Sequence, residues 1–201
     1  MEKRAAILAA AIELFTRQGF ARTSMDAVAT AAGVSKLTVY SHFGDKDNLF
    51  REVMRSRAQE LFPEHTYHFD PDIDIRDNLL RVAFAHVRVD CDHQVVDTFR
   101  AILSDCKDGS PRYGKLIWEE GAMRTHGLIA MLFDEAVAAG SLDIEDTSRA
   151  SIQFMSLVKG NLLMRKLFGC VQCDDTYVEE LEANARAGVD MFLRAYGTGK
   201  H

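Results

Sequence analysis

Between Thr23 and Phe50 the chain reads TSMDAVATAAGVSKLTVYSHFGDKDNLF, a pattern that fits two short helices joined through a single glycine turn. Thr23 is placed to cap a helix from about Ser24 to Ala31, with Asp26 three residues on completing a capping-box-like pattern and setting negative charge in the first turn. Gly33 breaks that helix. Ser35 is placed to cap a second one running to about His42, whose first turn offers Lys36, Leu37 and Thr38. A second helix that leads with its N-terminal residues is the part of a helix-turn-helix that enters a DNA major groove.

Charge distribution agrees with a phosphate-facing head. Residues 1–57 carry nine Lys/Arg against six Asp/Glu, while the remainder carries fifteen against twenty-four, so a basic head precedes an acidic body. An acidic surface that merely aids solubility is the plainer reading of the second half. The N-terminal stretch AAILAAAIELF is interrupted by Glu13 and followed by Arg17 at helical spacing, which favours an amphipathic helix over a signal peptide. No run approaches the roughly 18 apolar residues of a membrane helix, so the expected compartment is the cytoplasm, with no membrane partner.

Helical periodicity continues to the end of the chain, and the expected fold class is all-α, with about nine helices. A first helix over about Glu2 to Gln18 buries Ile7, Leu8, Ala11, Leu14 and Phe15, with Gly19 as its left-handed cap. A long fourth helix runs from Asp45 to about Phe62, where Pro63 ends it, and Pro63 to Ile73 reads as a connecting loop. Later faces follow at helical spacing, with Ser110-Pro111 as one helix start. Gly121 and Gly127 predict a bent, closely packed helix, and Gly160 close helix approach within a helix over about Asp146 to Phe168. That helix and one over about Thr176 to Tyr196 fit a four-helix bundle between two copies, with Leu181 and Phe192 as interface positions; intrachain packing is the alternative.

An amphipathic first helix ending in ELFTRQGF, then Thr23, AAGVSKLTVY and HFGDKDNLF together resemble the DNA-binding domain of the TetR family of transcriptional regulators. Leu37 departs from the small residue frequent there, and Gly44-Asp45 replaces the usual proline-serine before Lys46. The stretch from Tyr113 to Leu163 resembles the AefR-like C-terminal domain that accompanies many such heads. The resemblance implies a three-helix helix-turn-helix domain over residues 1–50 and a larger regulatory and dimerisation domain over 51–201. It also implies a homodimer on a double-stranded, palindromic DNA operator, released by a small-molecule effector, with no cofactor.

Lys36, Leu37 and Thr38 are the candidate base readers; Thr23, Ser35, Tyr40, His42 and Lys46 are candidates to hold the DNA backbone. For an apolar effector the candidate lining is Phe84, Val87, Phe99, Leu103, Trp118, Met123, Phe154 and Leu157, any of which can equally be plain core. His86, Asp90, His126 and Asn161 are candidate polar contacts. Cys170 and Cys173 form a single C-x-x-C with no second pair and no nearby His, short of the four ligands of a structural zinc site. Cys91 and Cys106 lie on apolar faces; an inert role and thiol sensing both stay open for the cysteines. The chain has no Gly-rich phosphate loop, no H-E-x-x-H and no G-x-S-x-G, which disfavours a small all-helical enzyme.

Overall fold

The computed structural model describes residues 2–105 and 111–199, and every regular element among them is helical apart from one isolated bridge between Leu142 and Gly197. In chain order these are α1 (Glu2–Arg22), α2 (Met25–Ala31), α3 (Lys36–Phe43), α4 (Lys46–Leu61), a 3-10 turn (Glu64–Tyr67), α5 (Ile75–Val89), α6 (His93–Asp105), α7 (Pro111–Ile117), a π-helical segment (Trp118–Met123), α8 (Arg124–Ala138), α9 (Thr147–Lys159), α10 (Leu162–Leu167) and α11 (Asp175–Tyr196). None of the described helices is long and apolar enough to cross a membrane. Cys106 and Ser110 fall outside the described residues.

Two compact units emerge. The first joins residues 1–60 with 94–122, and the second joins 61–93 with 123–201. In the first, Ile7, Ala11 and Phe15 of α1 meet Val28 of α2, Val39 of α3 and Leu49 and Phe50 of α4, with Leu116 of α7 closing the same core. Phe15, Phe20 and Phe50 form its aromatic centre at ring separations of 4.9–5.4 Å, within the range where edge-to-face contact is favourable.

The second unit is built on α5, α8, α9 and α11. Phe133, Phe154 and Phe192 meet at 5.1–5.7 Å in its centre, surrounded by Leu79, Ala83, Val87, Ile129 and Leu181. Leu181 and Phe192 are therefore internal core, not interface positions: the chain's own α5 and α9 cover the face on which they lie.

Glycine positions needed correction as well. The expected long helix from Asp146 breaks at Gly160, which caps α9 with positive φ, and α10 is a separate short helix. A Cβ on Gly121 or Gly127 would meet nothing within 4 Å, so neither serves close packing; the irregularity near them is the π-helical segment. The residue that lets two helices touch is Gly188 of α11, where a Cβ would lie 2.8 Å from the Leu157 backbone of α9.

Candidate nucleic-acid interface and a buried polar cluster

Local chemistry sets the start and orientation of the first unit's short third helix. The α2 N-cap is Ser24, one residue after the position expected, with its hydroxyl accepting from the Ala27 N–H at 3.1 Å. Thr23 is buried, and its hydroxyl donates to the Gly19 carbonyl at 2.8 Å, joining α1 to α2 from inside. The chain then turns at Gly33, whose φ of +65° is one that side-chain-bearing residues adopt at a cost. Ser35 caps α3 as expected, accepting from the Thr38 N–H at 3.1 Å.

With the helix thus started, Val39 and Phe43 point into the core and the opposite face is left open. Leu37 is 79% exposed and Tyr40 41% exposed, two large apolar groups on the surface of one eight-residue helix. Lys36 stands beside them with its ammonium 2.7 Å from Asp26, and the hydrogen bond to that carboxylate, then its charge, raise the Lys36 pKa. Thr38 is half-buried and shares a hydroxyl contact of 2.8 Å with Ser35. His42 is exposed at the far end of α3.

Lys46 opens α4, its ammonium donating to the Ala21 carbonyl at 3.2 Å and lying 4.3 Å from the Phe20 ring centroid. His42 also borders a cleft of about 390 Å³ lined by Arg4, Phe43, Asn48, Arg51, Glu52 and Arg55. Further along α4, Arg55 makes two hydrogen bonds to Glu120, at 3.0 and 3.2 Å, and Arg51 approaches the same carboxylate at 3.5 Å. The π-helical segment is thereby held to α4 within the first unit.

The second unit contains a buried polar cluster. Tyr67 and His86 share a hydrogen bond of 2.8 Å, and the Phe62 ring stacks on His86 at 4.3 Å. Burial, reinforced by the charges of Lys159 and His126, pushes His86 down to about 3, so its ring is neutral at physiological pH. Asp90 is 1% exposed, and Lys159 donates to one of its oxygens at 2.9 Å while the other has no partner. Burial raises Asp90 against the opposing pull of Lys159. His126 Nδ1 is likewise buried without a partner. Unpaired polar atoms in such surroundings cost free energy that a bound hydroxyl or amide would recover.

Of the expected effector contacts, His86, Asp90 and His126 belong to this cluster, while Asn161 is exposed before α10. Val87 and Phe154 fill the core. Phe84 is half-buried beneath the guanidinium groups of Arg88 and Arg186, and Leu157 is half-buried at the α9–α11 crossing. Phe99 is half-buried, and Leu103, Trp118 and Met123 are more than half exposed. These apolar positions are spread over both units and are not gathered in one place.

Sequence reasoning passed over Phe62, Tyr67 and Lys159. The stretch read as a plain connecting loop contains the 3-10 turn that carries Tyr67 inward, together with buried Thr66 and Phe69, while His65 and His68 are exposed. Cys91 and Cys173 form a disulfide, and Cys170 is a free, exposed thiol. Among the described residues no group of three or more His, Cys, Asp or Glu side chains is arranged to hold a metal ion.

Residues 7–53 match the sequence profile described as bacterial regulatory proteins, tetR family, and residues 77–198 match that of the AefR-like transcriptional repressor, C-terminal domain. The uncharacterized HTH-type transcriptional regulator YhgD of Bacillus subtilis is 32% identical over 47% of this chain and 50% of its own length. The HTH-type transcriptional regulator AcrR of Shigella flexneri is 40% identical over 40% of each protein. The chain thus spans half or less of these two curated relatives. Among solved structures, the Flavonoid-responsive Regulator FrrA superposes with a TM-score of 0.78 at 30% identity, covering 98% of both chains.

Proposed function

Since the chain belongs to the TetR family of transcriptional regulators, with an AefR-like C-terminal domain, we propose that it is a DNA-binding homodimeric repressor that recognises a palindromic operator and is released by a small apolar effector. The observation that carries the DNA reading is the open face of α3. Leu37 and Tyr40 stand exposed beside Lys36 in a helix whose other face is core, and water is a poor partner for such apolar groups. A thymine methyl suits Leu37, a guanine edge or phosphate suits Lys36, and a phosphate suits the Tyr40 hydroxyl.

One head reads one half-site, so two copies are needed for a palindrome. The support for pairing lies on surfaces the chain leaves uncovered: Ile152 on α9, and Ala183, Ala187 and Met191 at helical spacing on α11. The effector reading draws on FrrA, which its name describes as flavonoid-responsive, and on the partnerless atoms of Asp90 and His126. A flat aromatic molecule bearing hydroxyl groups would satisfy both. Phe62 follows directly on α4 and stacks on His86, so displacing His86 would push on the end of the helix that begins beside α3. Binding of effector and of DNA would then be reciprocally coupled.

Selection of DNA from a random pool is the deciding experiment. An enriched inverted repeat is expected; a pool that shows no enrichment after repeated rounds would sink the proposal. Ile152→Glu and Met191→Glu should each shift sedimentation towards monomer without loss of helicity.

A further inference from the structure

Two cysteines of the second unit meet in the fold although far apart in sequence, and a third lies three residues from one of them. Cys91 follows α5 and Cys173 precedes α11, and the bridge between them spans a sequence separation of 82. Both are half-buried against the core of this unit. Cys170 lies three residues before Cys173, exposed, in a loop held by its backbone N–H donating to the Arg165 carbonyl at 2.9 Å. An accessible thiol and a sheltered pair that share one C-x-x-C are the components of a disulfide exchange pathway.

We propose that Cys170, Cys173 and Cys91 form a thiol–disulfide relay that takes a low-molecular-weight disulfide as its oxidant and stores the oxidation as the Cys91–Cys173 bridge. Starting from three thiols, the Cys170 thiolate attacks the small disulfide, forming a mixed disulfide and expelling one small thiolate. The Cys173 thiolate then attacks the Cys170 sulfur, forming the Cys170–Cys173 bond and expelling the second. Finally the Cys91 thiolate attacks Cys173, the Cys170–Cys173 bond breaks, and Cys170 leaves as a thiolate that takes up a proton. In total, two protein thiols are oxidised and one small disulfide is reduced to two thiols.

The bridge lies where a change has consequences. Cys91 is two residues before His93, after which the chain passes from the second unit into the first, and it adjoins Asp90, the buried partner of Lys159. Closing the bridge ties this exit to the loop before α11; opening it releases the tie. That the bridge is transient and regulatory, not permanent, rests on the reading of the protein as a DNA-binding regulator, because disulfides of DNA-containing compartments are mostly redox-sensing.

The test uses the full chain carrying Cys106→Ser, reduced and then exposed to glutathione disulfide, with bridges located over time by non-reducing peptide mass mapping. The Cys91–Cys173 bridge is expected, forming about tenfold more slowly in Cys170→Ser, a change at an exposed position. Cys91→Ser is expected to stop at a Cys170–Cys173 bridge. Equal bridging rates with and without Cys170, or a Cys91→Ser protein that retains only glutathione on Cys170, would overturn the relay. Operator affinity is then compared between reduced and bridged protein. A difference of at least about threefold, absent in Cys91→Ser, supports regulation, and equal affinities overturn it. If no operator is selected, the regulator reading fails while peptide mapping still decides the relay.

Discussion

The two units place functional chemistry in opposite ways. In the first, the groups offered to a partner are exposed and lie within one short helix, where Ser35 starts α3, Val39 and Phe43 anchor it, and Lys36, Leu37 and Tyr40 are left outside. In the second, the polar groups are buried and come from the 3-10 turn, α5, α8 and α9, so no single segment contains them. The exposed side chains of α3 can therefore change with little effect on folding. The buried groups of the second unit contribute to stability and, in the proposed reading, would contribute to ligand recognition at once.

The largest expected effect tests this contrast in the core of the second unit. Phe154 packs between Phe133 and Phe192 with no exposed surface, so Phe154→Ala should cost about 3–5 kcal/mol of unfolding free energy through lost burial and the cavity left behind. Urea denaturation monitored by circular dichroism measures it. A variant of unchanged stability that has lost effector response would instead make Phe154 a ligand contact and break the division between the units.

Acid should act on the second unit through His86. An ordinary histidine in the unfolded chain takes up its proton near pH 6.5, whereas His86 in the folded chain does so only near 3. Unfolded chains then bind the extra proton throughout that window, so stability is full above about pH 6.5 and declines as pH falls towards 3. Between pH 7 and pH 5 the loss should be roughly 2 kcal/mol. Asp90, raised by burial, works in the opposite sense at acid pH, and His126 is lowered as well, so the measurement is the difference from His86→Gln. Parallel stability profiles for the two proteins would show that His86 is not the group responsible.

How much was legible in the sequence follows from the same contrast. The turn at Gly33, the cap at Ser35 and the exposed first turn of α3 are local, fixed by residues within a few positions of one another, and were readable from spacing alone. The capping role given to Thr23 fell one residue early because Ser24 can cap equally well, and only packing shows that Thr23 points inward. In the second unit periodicity identified apolar faces but not what covers them. Leu181 and Phe192 have the spacing of an interface and of a core alike. Cys91 and Cys173 meet only because α5 and α11 pack together, and no pattern in either segment announces the other.

Leu37 supplies a smaller effect that sharpens the comparison. Its side chain is 79% exposed, so Leu37→Ala should leave thermal stability within about 0.5 kcal/mol of the parent. Operator affinity should fall about tenfold, with the preference relaxed at one or two base pairs per half-site, as expected for a lost methyl contact. Loss of stability without a change in base preference would move Leu37 into the structural class that the second unit represents.

The smallest expected effect concerns Lys46, for which a structural contact and a proposed phosphate contact fall on one side chain within the first unit. Its ammonium donates to the Ala21 carbonyl and lies over the Phe20 ring at the start of α4; in the proposed reading the same charge would meet a phosphate. Lys46→Ala removes both, and salt dependence separates them. A phosphate contact releases condensed counterions, so losing one from each protomer of the dimer should lower the slope of log affinity against log salt by about 1.8, about 0.9 per contact. Because phosphates carry no sequence, affinity for the operator and for a scrambled duplex should fall by the same factor. A purely structural role would instead lower thermal stability and weaken binding with the slope unchanged. Anisotropy titrations of both duplexes across a salt series, paired with a melting curve, distinguish these outcomes; an unaltered slope would place Lys46 with the buried framework and leave the phosphate contacts to its neighbours.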